Sequence, residues 1–485
     1  MTTEPTIFVS SDLGYGDCGK GTIEEFLLRF FGIKMSIRFC GAHQAGHHLV
    51  QPDGRVHCAS QFGSGTFLPA VEHLISNRSL CEPNALLGEE AHLRHNNIAD
   101  ALDRLIIDPE AIVILPWHEL HNRVLELSRA DKRNGSTGLG VGQAVFDYEG
   151  GFSVTIQDLF RPRSDLESRL TSMRERLTKM TAIEVEQIKD PENRKHAQYL
   201  LDRYKINKTV RKLLSLYSSF INNPRVRIES TRKILDRLRQ NQQSLIMSQA
   251  QGILLDRKFG FTPHITKTKV TYHPAFELLG LAADKNAWPG YKIEKVGIKR
   301  CYDTRHGAGP FVSEDAGMKE FVTEAQNGLI DWVGEFRVGH FDLLATRYAI
   351  AANDGVDWLA LTCLDQLTGW PTIKVCVSYK YTGPTDALNK YFVWEPQPDG
   401  TAKILAFKNP DCERGPDLAQ ILKHCQPDDM VEFDSWPQNI RDAKSWADLP
   451  PAAQKFVSWL QTKLGLPIRL LSVGPTHDNK FFIKI

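Results

Sequence analysis

Between Gly14 and Thr22 the chain reads Gly-Tyr-Gly-Asp-Cys-Gly-Lys-Gly-Thr, a glycine-rich turn carrying one acid and one lysine. Gly14, Gly19 and Lys20 keep the spacing G-x-x-x-x-G-K, in which glycines let successive backbone N–H groups face an anion and the lysine adds a point charge. That is phosphate-binding chemistry. The Ser or Thr that ordinarily follows the lysine to ligate Mg2+ is replaced by Gly21, and Asp17 puts a carboxylate among phosphate donors. Such a carboxylate repels phosphate unless it binds a metal or takes a proton, so Asp17 points to chemistry as well as binding.

Further candidates follow along the chain. Phe39-Cys-Gly-Ala-His-Gln-Ala-Gly-His-His48 places histidines beside a glycine turn, suited to general acid work or oxyanion stabilisation; taken alone, His43, His47 and His48 read equally as ordinary loop histidines. Asn134-Gly-Ser-Thr-Gly-Leu-Gly-Val-Gly142 offers hydroxyls and free amides, as a phosphate site or as a structural turn. Ser248-Gln-Ala-Gln-Gly252 leads to Thr262-Pro-His-Ile-Thr266, and Thr362-Cys-Leu-Asp365 ends in an acid just after a strand. An acid there can read a guanine edge through N1–H and the 2-amino group, or it can simply cap a turn.

The elements that must hold these residues alternate strand and helix. The pattern predicts strands at 7–10, 35–39, 111–115, 244–247, 291–299, 358–362, 373–379 and 468–473, and a helix over 22–31. This alternation predicts an α/β fold with a largely parallel sheet. Residues 164–243 are rich in Leu, Arg, Lys and Glu at helical spacing and predict a helical excursion without strands. No linker or repeat divides the chain, so a single domain over 1–485 is expected, with surface loops around short elements at 395–451.

With 42% hydrophobic and 24% charged residues and a net charge of +1, no global field favours nucleic acid or an acidic membrane. The nine cysteines are scattered and lack C-x-x-C pairs, against a disulfide framework or structural zinc. There is neither a signal-like leader nor a stretch of about 18 apolar residues. The expectation is a reduced, cytoplasmic, soluble protein with small-molecule substrates.

Taken in order, Gly16-Asp-Cys-Gly-Lys-Gly-Thr22, Gln44-Ala-Gly-His-His48, Asn134 to Gly142, Ser248-Gln-Ala-Gln-Gly252, Thr304-Arg-His-Gly-Ala-Gly-Pro-Phe311, Thr362-Cys-Leu-Asp365 and Ser472-Val-Gly-Pro475 resemble the motifs of the adenylosuccinate synthetase family. Those motifs are G-D-E-G-K-G-K, N-A-G-H-T, I-G-T-T-x-x-G-I-G-P, E-G-A-Q-G-x-x-L-D, T-R-x-G-x-G-P-F, T-K-L-D and S-x-G-P. The resemblance implies a GTP-dependent ligase that phosphorylates the 6-oxo group of IMP and lets the amine of aspartate displace the phosphate. It implies that Asp17 removes the N1 proton and ligates Mg2+ together with the Gly46 carbonyl, that His47 stabilises charge at O6 and the transferring phosphate, and that Gln251 holds the hypoxanthine edge. Gly16, Gly19, Lys20, Gly21 and Thr22 match the GTP phosphate cradle, while Asp365, Ser472 and Gly474 match the guanine site. Gln44, Ser136, Thr137 and Thr266 match the acceptor site around the 5′-phosphate. The family is usually homodimeric, a partner arginine reaching the IMP phosphate.

The departures are local. Cys18 and Tyr15 replace Glu and Trp in the loop, and Cys363 replaces the lysine of T-K-L-D, weakening the basis for choosing GTP over ATP. The partner arginine falls near Gly150 to Phe152, with Arg161 and Arg163 as nearby substitutes. The family's arginine-rich amine loop, T-T-G-R-x-R-R-x-G-W-x-D, aligns with Asp331-Trp-Val-Gly-Glu-Phe-Arg337. There Gly334 and Phe336 stand at arginine positions, and only Arg337 keeps one. Losing an arginine opposite a carboxylate removes a pair worth about 1.5–3 kcal/mol. Three readings follow: the IMP and aspartate ligase, the same phosphorylate-then-displace chemistry with another oxo-purine or lactam acceptor or another amine, and an inactive nucleotide-binding regulator. Retention of Asp17, Lys20, His47, Gln251 and Asp365 together argues against the last.

Overall fold

A computed structural model describes residues 4–322, 332–408 and 416–484. Its centre is a ten-stranded sheet formed by β1 (Thr6–Asp12), β2 (Met35–Arg38), β3 (Glu72–Ile75), β4 (Leu105–Ile107), β5 (Arg227–Ile228), β6 (Leu245–Ser248), β7 (Lys292–Arg300), β8 (Trp358–Thr362), β9 (Ile468–Ser472) and β10 (Lys480–Phe482). The spatial order is β10-β9-β8-β7-β1-β6-β2-β3-β4-β5. Every neighbouring pair is parallel except β9 with β10. Parallel strands need crossovers that cover both faces, so central strands read as continuous buried runs. β1 does so, all seven residues being buried. Ile7 and Val9 join one core with Ile37 and Met247, while Phe8 points the other way, into a core with Ile23, Leu27 and Trp358.

Strand polarity explains where the site forms. The Gly14 loop follows β1, Phe39 to His48 follows β2, Ser248 to Gly252 follows β6, Thr362 to Asp365 follows β8, and Ser472 to Gly474 follows β9. In a parallel sheet these carboxyl ends share one edge, where α/β folds bind ligands. Segments distant in sequence therefore meet there.

Most predicted strands appear within a residue or two of their expected ends, and helix α1 (Lys20–Phe31) begins earlier, at the lysine itself. Three expectations change. Residues 111–115 form only Ile112–Val113, paired with Leu80–Cys81 outside the central sheet. The 373–379 run breaks into Ile373–Cys376 and Tyr379–Tyr381, which belong to two different small sheets. Within 164–243, where no strand was expected, Arg227–Ile228 pairs with β4 as the sheet edge, a strand too short to leave a periodic signal. The rest of that stretch is helical: Arg163–Gln187, Pro191–Asn207, Val210–Ile221 and Thr231–Gln240. Among the described residues no helix is long and apolar enough to cross a membrane, and the described cysteines are free thiols.

Candidate active site

The Gly14 loop runs from the end of β1 to the amino terminus of α1, where unpaired N–H groups and the helix dipole favour an anion. It is clamped from below. Leu254 N donates to Gly14 O at 3.0 Å, and Gly252 lies so close that a Cβ there would sit 2.2 Å from Gly14 O. Thr362 Oγ1 donates to Cys18 O at 2.7 Å, tying the loop to the end of β8. Lys20 is buried, its Nζ 3.4 Å from the wholly buried Asp12. Burial alone would lower its pKa; the neighbouring carboxylates, Asp12 first, outweigh that and raise it overall. Thr22 Oγ1 donates to Gly19 O at 3.0 Å.

The missing hydroxyl after Lys20 has a steric reason. A Cβ on Gly21 would lie 2.7 Å from His47 Cβ, so the first turn of α1 accepts His47 only because residue 21 is glycine. His47 is buried; its Nδ1 faces Ser64 Oγ at 3.4 Å and its Nε2 has no hydrogen-bond partner among the described residues. Burial, then Lys20, Arg38 and His48, push its pKa well below the ordinary histidine value. A buried ring nitrogen without a protein partner is one that a ligand can satisfy. Behind it Glu24, one turn after Lys20, accepts from Ser10 at 2.5 Å, Ser64 at 2.6 Å and Ser248 at 2.9 Å.

Asp17 adopts a left-handed backbone, φ 55°, and its side chain, about a third exposed, places Oδ2 3.2 Å from His306 Nε2. Burial raises its pKa; the His306 hydrogen bond and the charges of His306, Arg300 and Lys20 outweigh this and lower it overall. It is therefore an anion in the free protein. Of the residues expected around the acceptor, Gln251 Oε1 accepts from Thr268 Oγ1 at 3.4 Å, and Thr268 in turn meets Thr266 Oγ1 at 3.0 Å. Gln44 Oε1 is buried without a partner among the described residues, whereas Ser136 Oγ accepts from Asn122 at 2.9 Å. Thr137 is half-buried in the same loop.

Along the same carboxyl edge, after β8, Asp365 Oδ2 accepts from Arg441 Nε at 3.0 Å. Ser472 Oγ donates to Gly474 O at 3.1 Å, and the buried Lys480 Nζ donates to Thr476 O at 2.7 Å. The expected amine loop is divided. Asp331 lies outside the described residues. Gly334 lines a cavity of about 400 Å3, Phe336 packs its ring 4.9 Å from the His306 ring, and Arg337 is consumed by Glu314 at 2.5 and 2.9 Å.

The sequence profile of the adenylosuccinate synthetases matches residues 12–481. The chain belongs to the adenylosuccinate synthetase family. The synthetase of Stenotrophomonas maltophilia is 29% identical over 480 residues, covering 97% of this chain and 96% of its own. That of Caldanaerobacter subterraneus is 27% identical over 472 residues, 97% of each. Among solved structures, fully ligated adenylosuccinate synthetase from Plasmodium falciparum superposes with a TM-score of 0.79 at 20% identity, over 99% of this chain and all of that one. The succinoaminodeoxyadenylate synthetase of cyanophage S-2L, bound to dGMP and dATP, gives 0.51 at 16% identity, over 99% and 95%. These likenesses support the large α/β fold built on a mainly parallel sheet, and the family is one of GTP-dependent ligases.

Within this adenylosuccinate synthetase frame, several residues carry the site that motif reading did not single out. His306 occupies the open position of T-R-x-G-x-G-P-F, so a titratable residue inside a site motif was its available signal. Glu24 lies four residues after Lys20 on the helix face shared with Ile23 and Leu27; a charge on that apolar face was its signal. Arg441 comes from a loop with no pattern at all.

Proposed function

We propose that this chain couples IMP to aspartate at the expense of GTP, giving adenylosuccinate, GDP and phosphate, with the residue roles that follow. The observation that carries the roles is that His47 packs against Gly21 of the loop that holds Asp17 and Lys20, with Lys20 close enough to act electrostatically on both, and that His47 Nε2 is buried without a partner among the described residues. An amide-like oxygen is a poor leaving group, and phosphorylation makes it a good one. Asp17, anionic before substrate binds, takes the N1 proton and concentrates charge on O6, which attacks the γ-phosphorus. Lys20 and the loop amides bind the phosphate oxygens throughout, and His47 Nε2 faces the bond being made. Gln251, steadied by Thr268, holds the purine edge while Gln44, Ser136, Thr137 and Thr266 surround the 5′-phosphate. Attack of the aspartate amine at C6 then expels phosphate.

Mg2+ fits this donor set. Among the described residues no three His, Cys, Asp or Glu side chains converge, and none need do so, because Mg2+ is commonly held by one or two carboxylates plus substrate phosphates. Asp17 and the Gly46 carbonyl are the oxygen donors assigned to it, and when bound it would neutralise developing phosphate charge. Asp365, Ser472 and Gly474 are assigned to the guanine.

A homodimer is the proposed assembly. Phe146, Tyr148 and Phe152 are each more than half exposed and Phe160 nearly so, on the short stretch where the family's partner arginine is expected. Such an exposed aromatic patch is suited to burial between subunits. Arg161 is engaged by Asp158 at 2.8 Å. The free thiols suit a reducing cytoplasm. The test of the function is stoichiometric: with IMP, GTP, Mg2+ and aspartate, one phosphate and one adenylosuccinate form together. GTP hydrolysis without the purine product would contradict it.

A further inference from the structure

Resting on the ligase reading, we propose that Arg133 is the carboxylate anchor of the amine substrate, taking over from the arginines absent at 334 and 336. The cavity of about 400 Å3 is lined by Arg133, Gly135, Gly307, Ala308, Trp332, Val333 and Arg337, with Gly334 and Glu335. This volume suits a small ligand. It borders the reacting end of the site, because Gly307 follows His306, whose imidazole contacts Asp17.

The charged groups of this cavity are unequal. Arg337 spends Nε and Nη2 on Glu314 and Nη1 on the carbonyls of Gly307 and Gly309, both at 2.9 Å. Glu335 is exposed and faces Lys319 at 3.3 Å. Arg133 is half-buried, and no hydrogen bond or ion pair joins its side chain to a described residue. It comes from the loop after helix Pro116–Ser128, outside the aligned amine loop. Opposite it the wall is firm: Trp332 lies under the Arg123 guanidinium at 5.6 Å, and Arg123 Nε also donates to Gly138 O at 3.1 Å.

A guanidinium fork matches a carboxylate with two parallel N–H donors, and a guanidinium that no described residue engages, on the wall of this cavity, supplies that match without first breaking an ion pair with those residues. Since Arg133 is the one guanidinium of the cavity with free donors among the described residues, one carboxylate carries most of the recognition.

The test compares wild type, Arg133→Ala and Arg133→Lys with aspartate varied at saturating IMP, GTP and Mg2+. Arg133→Ala is expected to raise the KM for aspartate about tenfold to a hundredfold, the range of a lost charge-assisted pair. Its KM for GTP and its thermal unfolding midpoint stay at wild-type values, and Arg133→Lys recovers part of the loss. An unchanged KM for aspartate in Arg133→Ala overturns the proposal, as does wild-type use of methylamine at the KM found for aspartate; the ligase reading survives both. Calorimetric titration of aspartate into protein saturated with IMP and a non-hydrolysable GTP analogue decides the anchor apart from turnover. Binding to wild type but not to Arg133→Ala supports it; equal binding, or binding to neither, overturns it. Failure of wild type to form ligated product with any amine strikes the ligase reading itself.

Discussion

His306 Nε2 lies 3.2 Å from Asp17 Oδ2, and the same imidazole is the cross-strand partner of Phe336 and packs against its ring. The acid at the reacting end of the site is thereby joined through one histidine to the segment that replaces the family's arginine-rich amine loop. Because Asp17 sits at positive φ, asparagine is the substitution that keeps its backbone at least cost. Asp17→Asn keeps the shape and cannot take the N1 proton. A loss of about a hundredfold to ten-thousandfold in kcat is expected, with an unchanged unfolding midpoint; near-normal turnover would remove Asp17 from the chemistry.

Gly21→Ala probes His47 without touching it. The added methyl would lie 2.7 Å from His47 Cβ, and backbone as well as side chain must move to admit it. The expected result is a fall in kcat larger than any change in KM for GTP, together with a stability loss of about 1–3 kcal/mol from overpacking. A fully active Gly21→Ala protein would show that the position of His47 does not matter.

Arg441 occupies the Asp365 oxygen that the proposed guanine site would use. Its side chain is half exposed, so the pair with Asp365 is worth little, about 0.2–1 kcal/mol. Arg441→Ala should lower the KM for GTP by no more than about fivefold, whereas Asp365→Ala should raise it and narrow the preference over ATP. A rise in KM for Arg441→Ala would mean that this arginine holds the nucleotide instead of yielding to it.

A pH signature is expected from Asp342, the cap of helix Leu343–Ala352, whose two carboxylate oxygens both lie 2.7 Å from Tyr379 Oη, the single O–H donating to the pair. Burial, then the charge of Asp303, push its pKa up to about 6. The folded state thus holds this proton more tightly than the unfolded chain does. The stability gained is complete below the ordinary carboxylate range and is lost as pH rises through about 6. Asp342→Asn should remove that dependence, so wild type loses ground against the variant between acid and neutral pH. Parallel stability curves would contradict the assignment.

How far the sequence disclosed the molecule depended on the kind of signal. β1, β6 to β9 and α1 were legible because continuous apolar runs and a glycine-lysine turn are local patterns. Arg227–Ile228 was not, since two residues carry no period and the pairing is imposed by β4. Asp17, Lys20 and His47 were legible as residue types in glycine turns. The contacts that give them meaning, His306 on Asp17 and Ser64 between Glu24 and His47, are long-range and leave no spacing to read. Arg337 illustrates the converse: its type matched the motif, while the structure commits it to Glu314.

If O6 of the purine is phosphorylated before the amine displaces it, that oxygen leaves with the phosphate. IMP labelled at O6 with a heavy oxygen isotope is incubated with GTP, Mg2+, aspartate and the wild-type protein, and the released phosphate is analysed by mass. One labelled oxygen is expected in each phosphate formed together with adenylosuccinate. Phosphate free of label, with the isotope retained in the purine or lost to water, would contradict it.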